Sequence, residues 1–294
     1  TNIQNLLIWK QWMPSRWIEF YTYDPKKRLI QAPQFKDRVV HHALVRTLEP
    51  AFERKFIFDS YACRKGKGTH ASVMRLQEML RCAQAKGITH ALKADISKYF
   101  PSINHGRLIE IVGRTIRDKD VLWLCKKIVL EGGYLEKGIP VGALTSQLFA
   151  NAYLDILDHF IKDQLGIRYY LRYMDDFVLL ASKPELQDLL NCIDDFLSGK
   201  LYLTLNPKTC IFPISHGVDF AGYRTWPTHI LPRKRNIKRA RRKFRQLSIA
   251  YAKGEITLRD VRPRVMSFLG YTRHCSARRS TKSTLNRLVL RRTI

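Results

Sequence analysis

Two adjacent aspartates, Asp175 and Asp176, stand between two stretches that have the pattern of β-strands. Residues 169–174 alternate along the chain, and residues 177–180 are all apolar. Two such stretches around a polar tip are typical of a β-hairpin. The two carboxylates could form an ordinary polar turn, because aspartate is a common turn residue, or they could bind a metal ion.

A third acid, Asp95, ends the alternating stretch THALKADI. Three carboxylates suit nucleotidyl transfer, in which two divalent ions about 3.5–4 Å apart stabilise the attacking and leaving oxygens. Mg²⁺ prefers carboxylate oxygens, and a cluster of carboxylates without a cation is electrostatically unfavourable. We therefore favour a metal site over a purely structural turn. The other acids considered, Asp37, Asp59 and Asp155, are predicted to lie on helix or loop surfaces.

The elements around these acids follow the order strand, helix, hairpin, helix, strand. This order matches the split βαββαβ motif of ferredoxin-like folds. In such a sheet the strand that ends at Asp95 can lie beside the hairpin, so that acids from two segments converge. The convergence of the three carboxylates is the central structural prediction.

The flanking segments have clear local patterns. WIEFYTY, DPKK and RLIQAP predict a hairpin with a basic tip. The helix that follows is expected to be interrupted at Pro50, and a further helix is expected to begin at an N-cap Thr69 and stop at Gly87. GIPVGALTSQ is predicted to be a loop before an amphipathic helix, and the chain beyond about residue 230 is predicted to be basic and mostly helical.

The strongest signal in the composition is a formal net charge of +27. Nine Lys and Arg residues and no acid lie between Arg233 and Arg245. Such a segment indicates binding to nucleic acid phosphates. No apolar run reaches the roughly 18–20 residues of a membrane span, and the six scattered cysteines form no CxxC pair. We expect a cytoplasmic protein without a membrane partner.

Several motifs, in this order, resemble those of reverse transcriptases. YMDD (173–176) resembles the active-site hairpin, KADISKYFPSI the first palm motif, and GIPVGALTSQLFAN the motif on the helix between fingers and palm. LTLNPKTC resembles the motif with a lysine near the triphosphate, and VDFAGYR resembles the primer grip. The resemblance implies an α+β right-hand polymerase with fingers, a ferredoxin-like palm and a helical thumb.

The resemblance also implies roles for individual residues. The catalytic residues would be Asp95, Asp175, Asp176 and Lys208, and the metal site, for two Mg²⁺ ions that Mn²⁺ could replace, would comprise Asp95, Ile96, Asp175 and Asp176. Nucleotide-binding residues would be Lys26, Arg28, Phe100, Val141, Gly142 and Gln147. The primer grip would comprise Phe220, Gly222 and Tyr223. The residues that would contact the template or duplex backbone are Arg64, Lys65, Lys67, Arg233, Lys234, Arg235, Lys238 and Arg239.

Some of these roles have a structural alternative. Phe100 is placed to clash with a 2′-hydroxyl, but it could be an ordinary core residue. Lys208 resembles a general acid to pyrophosphate, although a surface lysine after Asn-Pro fits the same sequence. In the fingers hairpin, Arg28 suits a bidentate phosphate contact better than Lys26 does.

Two departures from the usual motifs indicate a particular subtype of reverse transcriptase. Val141 precedes Gly142 where most retroviral, retron and group II intron enzymes have Gln, and Ser146-Gln147 replaces the usual Ser-Pro. Both features are similar to the reverse transcriptases of diversity-generating retroelements. That subtype implies frequent errors opposite template adenines, and a small basic accessory variability protein that is oligomeric. Because valine lacks the amide of glutamine, its presence predicts weaker base-pair discrimination, unless Val141 only packs under the helix.

The expected substrates are template RNA, a primer or cDNA strand and dNTPs. The predicted division is fingers 1–90, palm 91–229, with a fingers-associated helical part at about 104–140, and a basic thumb 230–294. The alternatives are a retron or group II intron-like reverse transcriptase and a catalytically silent RNA-binding scaffold. A plain DNA-binding protein is disfavoured because no helix-turn-helix or zinc finger pattern is present.

Overall fold

The computed structural model describes residues 2–23, 27–131 and 136–292. The N-terminal part begins with helix α1 (Asn2–Ile8), followed by strands β1 (Ile18–Thr22) and β2 (Arg28–Ala32). The two strands pair antiparallel, with Thr22 opposite Arg28, as the sequence predicts for this hairpin. Its tip, which includes Lys26, lies outside the described residues.

Two long helices follow, α2 (Phe35–Glu53) and α3 (Thr69–Ala85). The predicted interruption at Pro50 is wrong, because α2 continues through it to Glu53. Leu48 and Phe52 on either side of the proline are each only 2% exposed, so core packing keeps the last turn helical. The predicted stop of α3 is confirmed: the helix ends at Ala85, and Gly87 has a φ of 76°.

The centre of the molecule is a four-stranded antiparallel sheet. Its strands are β3 (His90–Asp95), β4 (Tyr170–Tyr173), β5 (Asp176–Ala181) and β6 (Cys210–Pro213). They lie in the order β4-β5-β3-β6. Numbered within the motif, this is the 2-3-1-4 order of a ferredoxin-like sheet, so the predicted βαββαβ arrangement is confirmed.

Helices cover one face of this sheet. They are α4 (Tyr99–Ser102), α5 (His105–Gly113), α6 (Lys119–Glu131), α7 (Leu144–His159) and α8 (Lys183–Leu201). Alternate strand residues such as Leu92, Phe177 and Leu179 share one buried cluster with residues of these helices. Helix α7 begins at Leu144, inside the stretch predicted to be a loop, because Thr145 and Ser146 are buried in its first turn.

The opposite face of the sheet carries a second, smaller cluster. Ala91, Val178 and Leu180 of the sheet pack with Leu76 and Leu80 of α3. This cluster leaves the end of the sheet at Asp95 and Asp176 only partly covered, and both residues retain intermediate exposure. The sheet therefore presents its acidic edge towards an open side of the molecule.

The C-terminal part starts with a three-stranded sheet of β7 (Val218–Phe220), β8 (Tyr223–Thr225) and β9 (Ile230–Pro232). Helices α9 (Lys234–Ala252), α10 (Leu258–Arg273) and α11 (Arg278–Leu285) follow. Since β9 pairs with β8, this sheet extends past residue 229, where the sequence places the palm–thumb boundary. The boundaries themselves stay predictions. In the described parts of the chain, no helix has the length and apolar character needed to cross a membrane.

Candidate active site at the palm hairpin

The strand register brings the predicted acids to one edge of the central sheet. Asp95 at the end of β3 is the Cα partner of Asp176 at the start of β5. Asp175 lies in the turn between β4 and β5, where the preceding Met174 has a φ of 57°. The backbone N–H of Ile96 donates to the Asp175 carbonyl oxygen at 3.2 Å, which ties the turn to β3. The predicted adjacency of the Asp95 strand and the hairpin is confirmed.

The electrostatics of this edge favour a bound cation. Burial, and next the negative charge of Asp95, raise the pKa of Asp175 to about 6. Burial raises the pKa of Asp176 to about 7, with Lys93 acting against this shift and Asp95 adding to it. Carboxylates whose charged forms are disfavoured by burial and by each other are stabilised when a cation enters the site.

The oxygen donors match the preference of Mg²⁺, but the side chains do not form a ready-made cluster. Asp176 Oδ1 is buried and accepts no hydrogen bond, although the Lys93 ammonium lies 3.4 Å away as an ion pair. Among the residues that the structure describes, no group of three or more His, Cys, Asp or Glu side chains is spaced to hold a metal ion. The strand register thus brings the backbone of the predicted acids to one edge of the sheet.

Asn206, which the sequence analysis did not single out, holds Asp95 from a third segment. Its backbone N–H donates to the Asp95 carbonyl at 2.7 Å, and its Nδ2 donates to Asp95 Oδ2 at 3.2 Å. Asn206 Oδ1 in turn accepts from the backbone N–H of Lys208 at 3.1 Å. The side chain of Lys208 is exposed. The Asn-Pro turn therefore places Lys208 two residues from a direct contact of Asp95.

Arg172, also missed, supports the hairpin from beneath. It is fully buried and pairs with the equally buried Asp158 of α7, with Nε–Oδ1 and Nη2–Oδ2 distances of 2.7 and 2.6 Å. Its other N–H groups donate to Asn151 Oδ1, Ser60 Oγ and the Met174 carbonyl. All five guanidinium donors are used. Burial lowers the pKa of Arg172, but Asp158 more than offsets this and raises the pKa above its usual value.

The β1–β2 hairpin contacts the loop before α7. The backbone N–H of Gln31 in β2 donates to the Val141 carbonyl at 2.9 Å. Gly142 has a φ of 134°, and a Cβ on it would lie 2.9 Å from the Gln31 carbonyl oxygen. Arg28 at the start of β2 is exposed, and its charge lowers the pKa of Asp175 against the effect of burial. The loop therefore brings Arg28 within electrostatic reach of the acidic edge.

Two other predicted nucleotide contacts, Phe100 and Gln147, are half-buried. Phe100 lies in α4, packs against the main core and meets the Tyr99 ring edge-on at 5.6 Å. Its carbonyl accepts from Ile139 N–H at 3.0 Å, which joins α4 to the loop before α7. Gln147 lies in the first turns of α7. Their roles beside a nucleotide stay predictions.

The segment predicted as the primer grip forms the β7–β8 hairpin. Phe220 and Tyr223 are its Cα-paired ends and are buried. Ala221 and Gly222 form the tip, both with positive φ, of 45° and 92°. The Phe220 ring meets the Tyr173 ring of the first hairpin edge-on at 6.5 Å. The two hairpins are therefore neighbours.

In the basic loop after α2, Arg64 was expected to contact a template or duplex backbone, but its side chain is buried. The Arg64 side chain is only 5% exposed and forms an ion pair with Glu53. It also donates to the carbonyls of Ile57 and Ser60, so its donors serve the fold rather than a template strand. Lys65 is 88% exposed, and Lys67 lies 4.2 Å from the Phe58 ring centroid.

The predicted duplex-binding cations occupy the start of α9. Arg233 pairs with Asp219 of β7, which leaves it less available than expected. Lys234 and Arg235 line a cavity of about 640 Å³ that also includes Lys93. The side chains of Lys238 and Arg239 are exposed.

The prediction that Asp37, Asp59 and Asp155 lie on the surface is wrong. They are 1%, 5% and 8% exposed, respectively. Asp37 accepts from the Ser15 N–H, and Asp59 pairs with Arg75. Burial raises the pKa of Asp155 to about 6. Each acid is enclosed by neighbouring elements, which a local sequence pattern does not reveal.

The chain belongs to the reverse transcriptase (RNA-dependent DNA polymerase) family, whose model matches residues 23–225. It is 25% identical over 255 residues to protein YkfC of Escherichia coli K12, covering 72% of this chain and 66% of that protein. It is 29% identical over 144 residues to the group II intron-encoded protein LtrA of Lactococcus lactis, covering 46% of this chain and 23% of LtrA. The chain thus spans only part of these relatives.

Solved structures support the same fold. The apo telomerase of Candida tropicalis superposes with a TM-score of 0.57 at 11% identity, covering 78% of this chain and 50% of the telomerase. The telomerase of the same organism in complex with a TWJ fragment of telomeric RNA gives a TM-score of 0.53, also at 11% identity, covering 97% of this chain and 56% of that one. At this identity the similarity shows the right-hand polymerase fold alone.

Proposed function

We propose that this chain is an RNA-directed DNA polymerase that extends a primer along template RNA with dNTPs. The observation that carries the proposal is the pairing of Asp95 with Asp176, with Asp175 in the adjoining turn, in a chain of the reverse transcriptase family. The sheet edge that holds these acids is left partly open by the helices and by the neighbouring hairpin.

Asp95, Asp175, Asp176 and the Ile96 carbonyl are the proposed metal ligands. Two Mg²⁺ ions bound there, or Mn²⁺ in their place, would polarise the reacting phosphate and lower the pKa of the attacking hydroxyl. The chain's own residues orient this site. Asn206 holds the Asp95 carboxylate, and Arg172 holds the Met174 carbonyl beneath the turn.

The nucleotide would enter between the fingers hairpin and the loop before α7. Arg28, with Lys26 from the hairpin tip, would contact the triphosphate, and Lys208 would protonate the leaving pyrophosphate. Phe100 would lie against the sugar, and Val141, Gly142 and Gln147 would border the base pair. The electrostatic effect of Arg28 on Asp175 supports the proposed position of the triphosphate.

The duplex would be held mainly through phosphate contacts. Phe220, Gly222 and Tyr223 would grip the primer strand, and Lys234, Arg235, Lys238 and Arg239 would follow the backbone from α9. Lys65 and Lys67 would contact the template. A surface with this excess of cations should bind nucleic acid strongly at low salt and weakly at high salt.

Within the family, Val141-Gly142 and Ser146-Gln147 favour the diversity-generating type. This type would make errors opposite template adenines and work with a small, basic, oligomeric accessory protein. The similarity to LtrA favours the second candidate, a group II intron-like enzyme. The two candidates differ in fidelity, so the sequence of the product separates them.

The test is primer extension on an RNA template with dNTPs and Mg²⁺, followed by sequencing of the cDNA, with and without host lysate. Asp175→Asn should abolish extension, whereas Asp188→Asn, which removes an exposed acid on α8, should leave it intact. Errors concentrated at template adenines would support the diversity-generating type. Accurate cDNA would favour the intron-like type, and RNA binding without any product would overturn the polymerase in favour of a silent scaffold.

A Val141→Gln variant tests the subtype within the same assay. Glutamine restores an amide donor and acceptor beside the proposed nucleotide position, so the frequency of errors at adenines should fall. An unchanged error spectrum would show that Val141 does not set fidelity. Extension by the variant itself provides the internal control for folding.

A further inference from the structure

Tyr271, in the last turns of α10, reaches across to the tip of the β7–β8 hairpin. Its hydroxyl donates to the Gly222 carbonyl at 2.7 Å. The same oxygen accepts from the Arg233 backbone N–H at 3.2 Å and from Asn236 Nδ2 at 3.0 Å. A phenol has one donor and two acceptor sites, so all its hydrogen-bonding capacity is used at the junction between the hairpin and α9.

A second contact runs in the opposite direction. The Tyr223 hydroxyl in β8 donates to the Tyr271 backbone carbonyl at 2.8 Å, and the two rings lie 4.8 Å apart. The Tyr271 hydroxyl therefore binds the backbone next to Tyr223, and the Tyr223 hydroxyl binds the backbone of Tyr271 itself. The chain after α10 adds a further link, because the Ser276 N–H donates to the Ile230 carbonyl of β9 at 2.8 Å.

The hairpin tip needs such support because both of its residues have positive φ. Gly222 adopts 92° without a steric penalty, but Ala221 at 45° is in a region that residues with a Cβ avoid. A strained tip persists only where its surroundings hold it in place. The Gly222 carbonyl is the point at which Tyr271 supplies that restraint.

We infer that Tyr271 is a positioning residue, which holds the β7–β8 hairpin and so sets where the primer end lies relative to Asp95, Asp175 and Asp176. The inference rests on the proposed polymerase function. Phe220, the residue next to the tip, contacts Tyr173 of the acidic hairpin, so a displaced tip would alter the spacing of the two hairpins. A reacting atom misplaced by about 1 Å can slow a reaction by up to a hundredfold.

The variant Tyr271→Phe keeps the ring and removes only the hydroxyl. We expect the rate of single-nucleotide addition, at saturating duplex and dNTP, to fall by about tenfold. The Kd for the primer–template should stay within about twofold, because phosphate contacts dominate affinity. Hydrogen exchange of the backbone amides of residues 218–225 in the free protein should become faster.

Tyr251→Phe is the matched control, since it removes a tyrosine hydroxyl from α9 away from the hairpin. It should behave as the wild type in all three measurements. Asn236 Nδ2 donates to the Tyr271 phenol oxygen at 3.0 Å and to the Gly222 carbonyl itself at 3.5 Å. Asn236→Ala should therefore move the addition rate and the exchange in the same direction as Tyr271→Phe.

Unchanged hydrogen exchange in Tyr271→Phe would overturn the inference, whatever the activity. Faster exchange with an unchanged addition rate would also overturn it, because the hairpin would then be loosened without effect on the reaction. Equal losses of rate in Tyr271→Phe and Tyr251→Phe would assign the effect to general destabilisation. A wild type that extends no primer would overturn the proposed function and the positioning role with it, whereas the exchange data would still report whether Tyr271 holds the tip.

Discussion

Two neighbouring hairpins, β4–β5 and β7–β8, are held by opposite kinds of chemistry. The Met174 carbonyl in the first receives a charged donor from Arg172, which is fully buried with Asp158 in the main core. The Gly222 carbonyl in the second receives a neutral phenol from Tyr271, on a helix that belongs to a different part of the molecule. The turn of the first hairpin is therefore anchored from within the main core, whereas the tip of the second is anchored by a C-terminal helix.

The surroundings of the two hairpins show the same difference. The core beneath the first includes strands and helices from across residues 12–203. The C-terminal helices share a much smaller buried cluster, with Ile237, Phe244, Leu247 and Phe268 at its centre. A small cluster contributes less apolar burial, so we expect these helices to open at a lower free energy than the first hairpin. The strands of the second hairpin do not belong to that small cluster, because Val218 and Phe220 are buried together with Val178 of the first hairpin.

The variant Arg172→Met is expected to have the largest effect on stability. Removal of one partner leaves Asp158 buried and unpaired, which should lower the free energy of unfolding by about 3–5 kcal/mol. Urea denaturation measures the loss. The double variant Arg172→Met/Asp158→Leu should recover much of it, since an apolar pair can replace a buried ion pair. Equal losses in the single and double variants would contradict a buried ion pair as the anchor.

Protonation of His41 is expected to weaken the contact between α2 and α7 in the main core. His41 on α2 is bonded to Thr145 of α7 at 2.8 Å, and burial lowers its pKa to about 4. The unfolded chain binds a proton near pH 6.5 that the folded protein excludes, so stability is present above that pH and is lost as pH falls towards 4. We expect His41 to contribute a loss of about 2 kcal/mol at pH 5 relative to pH 7. The raised pKa values of Asp155, Asp175 and Asp176 act in the opposite direction over this range, so the contribution of His41 is measured against a variant that lacks it.

The comparison for this prediction is His41→Gln, which keeps a polar partner for Thr145 but does not titrate. The free energy of unfolding at pH 5 minus that at pH 7 should be more negative in the wild type than in the variant, by about 2 kcal/mol. Identical pH dependence in the two proteins would mean that His41 is not the group responsible.

Gly222→Ala tests the second hairpin itself. A Cβ at this position has space, with Asn236 Nδ2 the nearest atom at 4.0 Å, but the φ of 92° disfavours any residue with a Cβ. The strain should cost about 1–2 kcal/mol. Because the strain is confined to the tip, we expect the loss as faster hydrogen exchange of residues 218–225, with little change around β4 and β5. Equal effects in both hairpins would show that they unfold as one unit.

The smallest predicted effect is a change in the salt dependence of nucleic acid binding without a change in the rate of nucleotide addition. Lys238→Gln should reduce the slope of log binding constant against log salt by about 0.9, as expected for one lost phosphate contact on duplex DNA. The addition rate at saturating duplex should not change. Lys200→Gln, on α8, alters the same charge outside the proposed binding surface and should leave the slope as it is. A changed addition rate in Lys238→Gln would contradict the proposal that Lys238 contributes to duplex binding alone.

The elements with strong local patterns were predictable from the sequence. The alternation around Asp95 and around Asp175-Asp176 predicted strands, and the order of elements predicted their adjacency, which the register confirms. The continuation of α2 through Pro50 was not predictable, because it depends on the burial of Leu48 and Phe52 by distant segments. The same reason explains Asp37, Asp59 and Asp155, whose local context is polar.

Arg172 illustrates a limit of periodicity. The alternation of β4 assigns Arg172 and Tyr173 to opposite faces of the sheet, but it does not say which face is covered by α7. Arg64 is a similar case. Its position in a basic loop predicted a solvent-exposed side chain, but the side chain is buried in an ion pair with Glu53. Asn206 lay within a recognised motif, yet its contact with Asp95 joins residues far apart in the sequence.

By itself, the amino-acid sequence determined the family, the order of strands and helices, and the acids that mark the centre of the molecule. Each of these depends on local residue types and spacing. Only the tertiary structure decided that Arg172 supports one hairpin and Tyr271 the other, and that Asn206 holds the Asp95 carboxylate. Those outcomes depend on which distant surfaces pack together, and a local pattern does not encode the burial or the partner of a side chain.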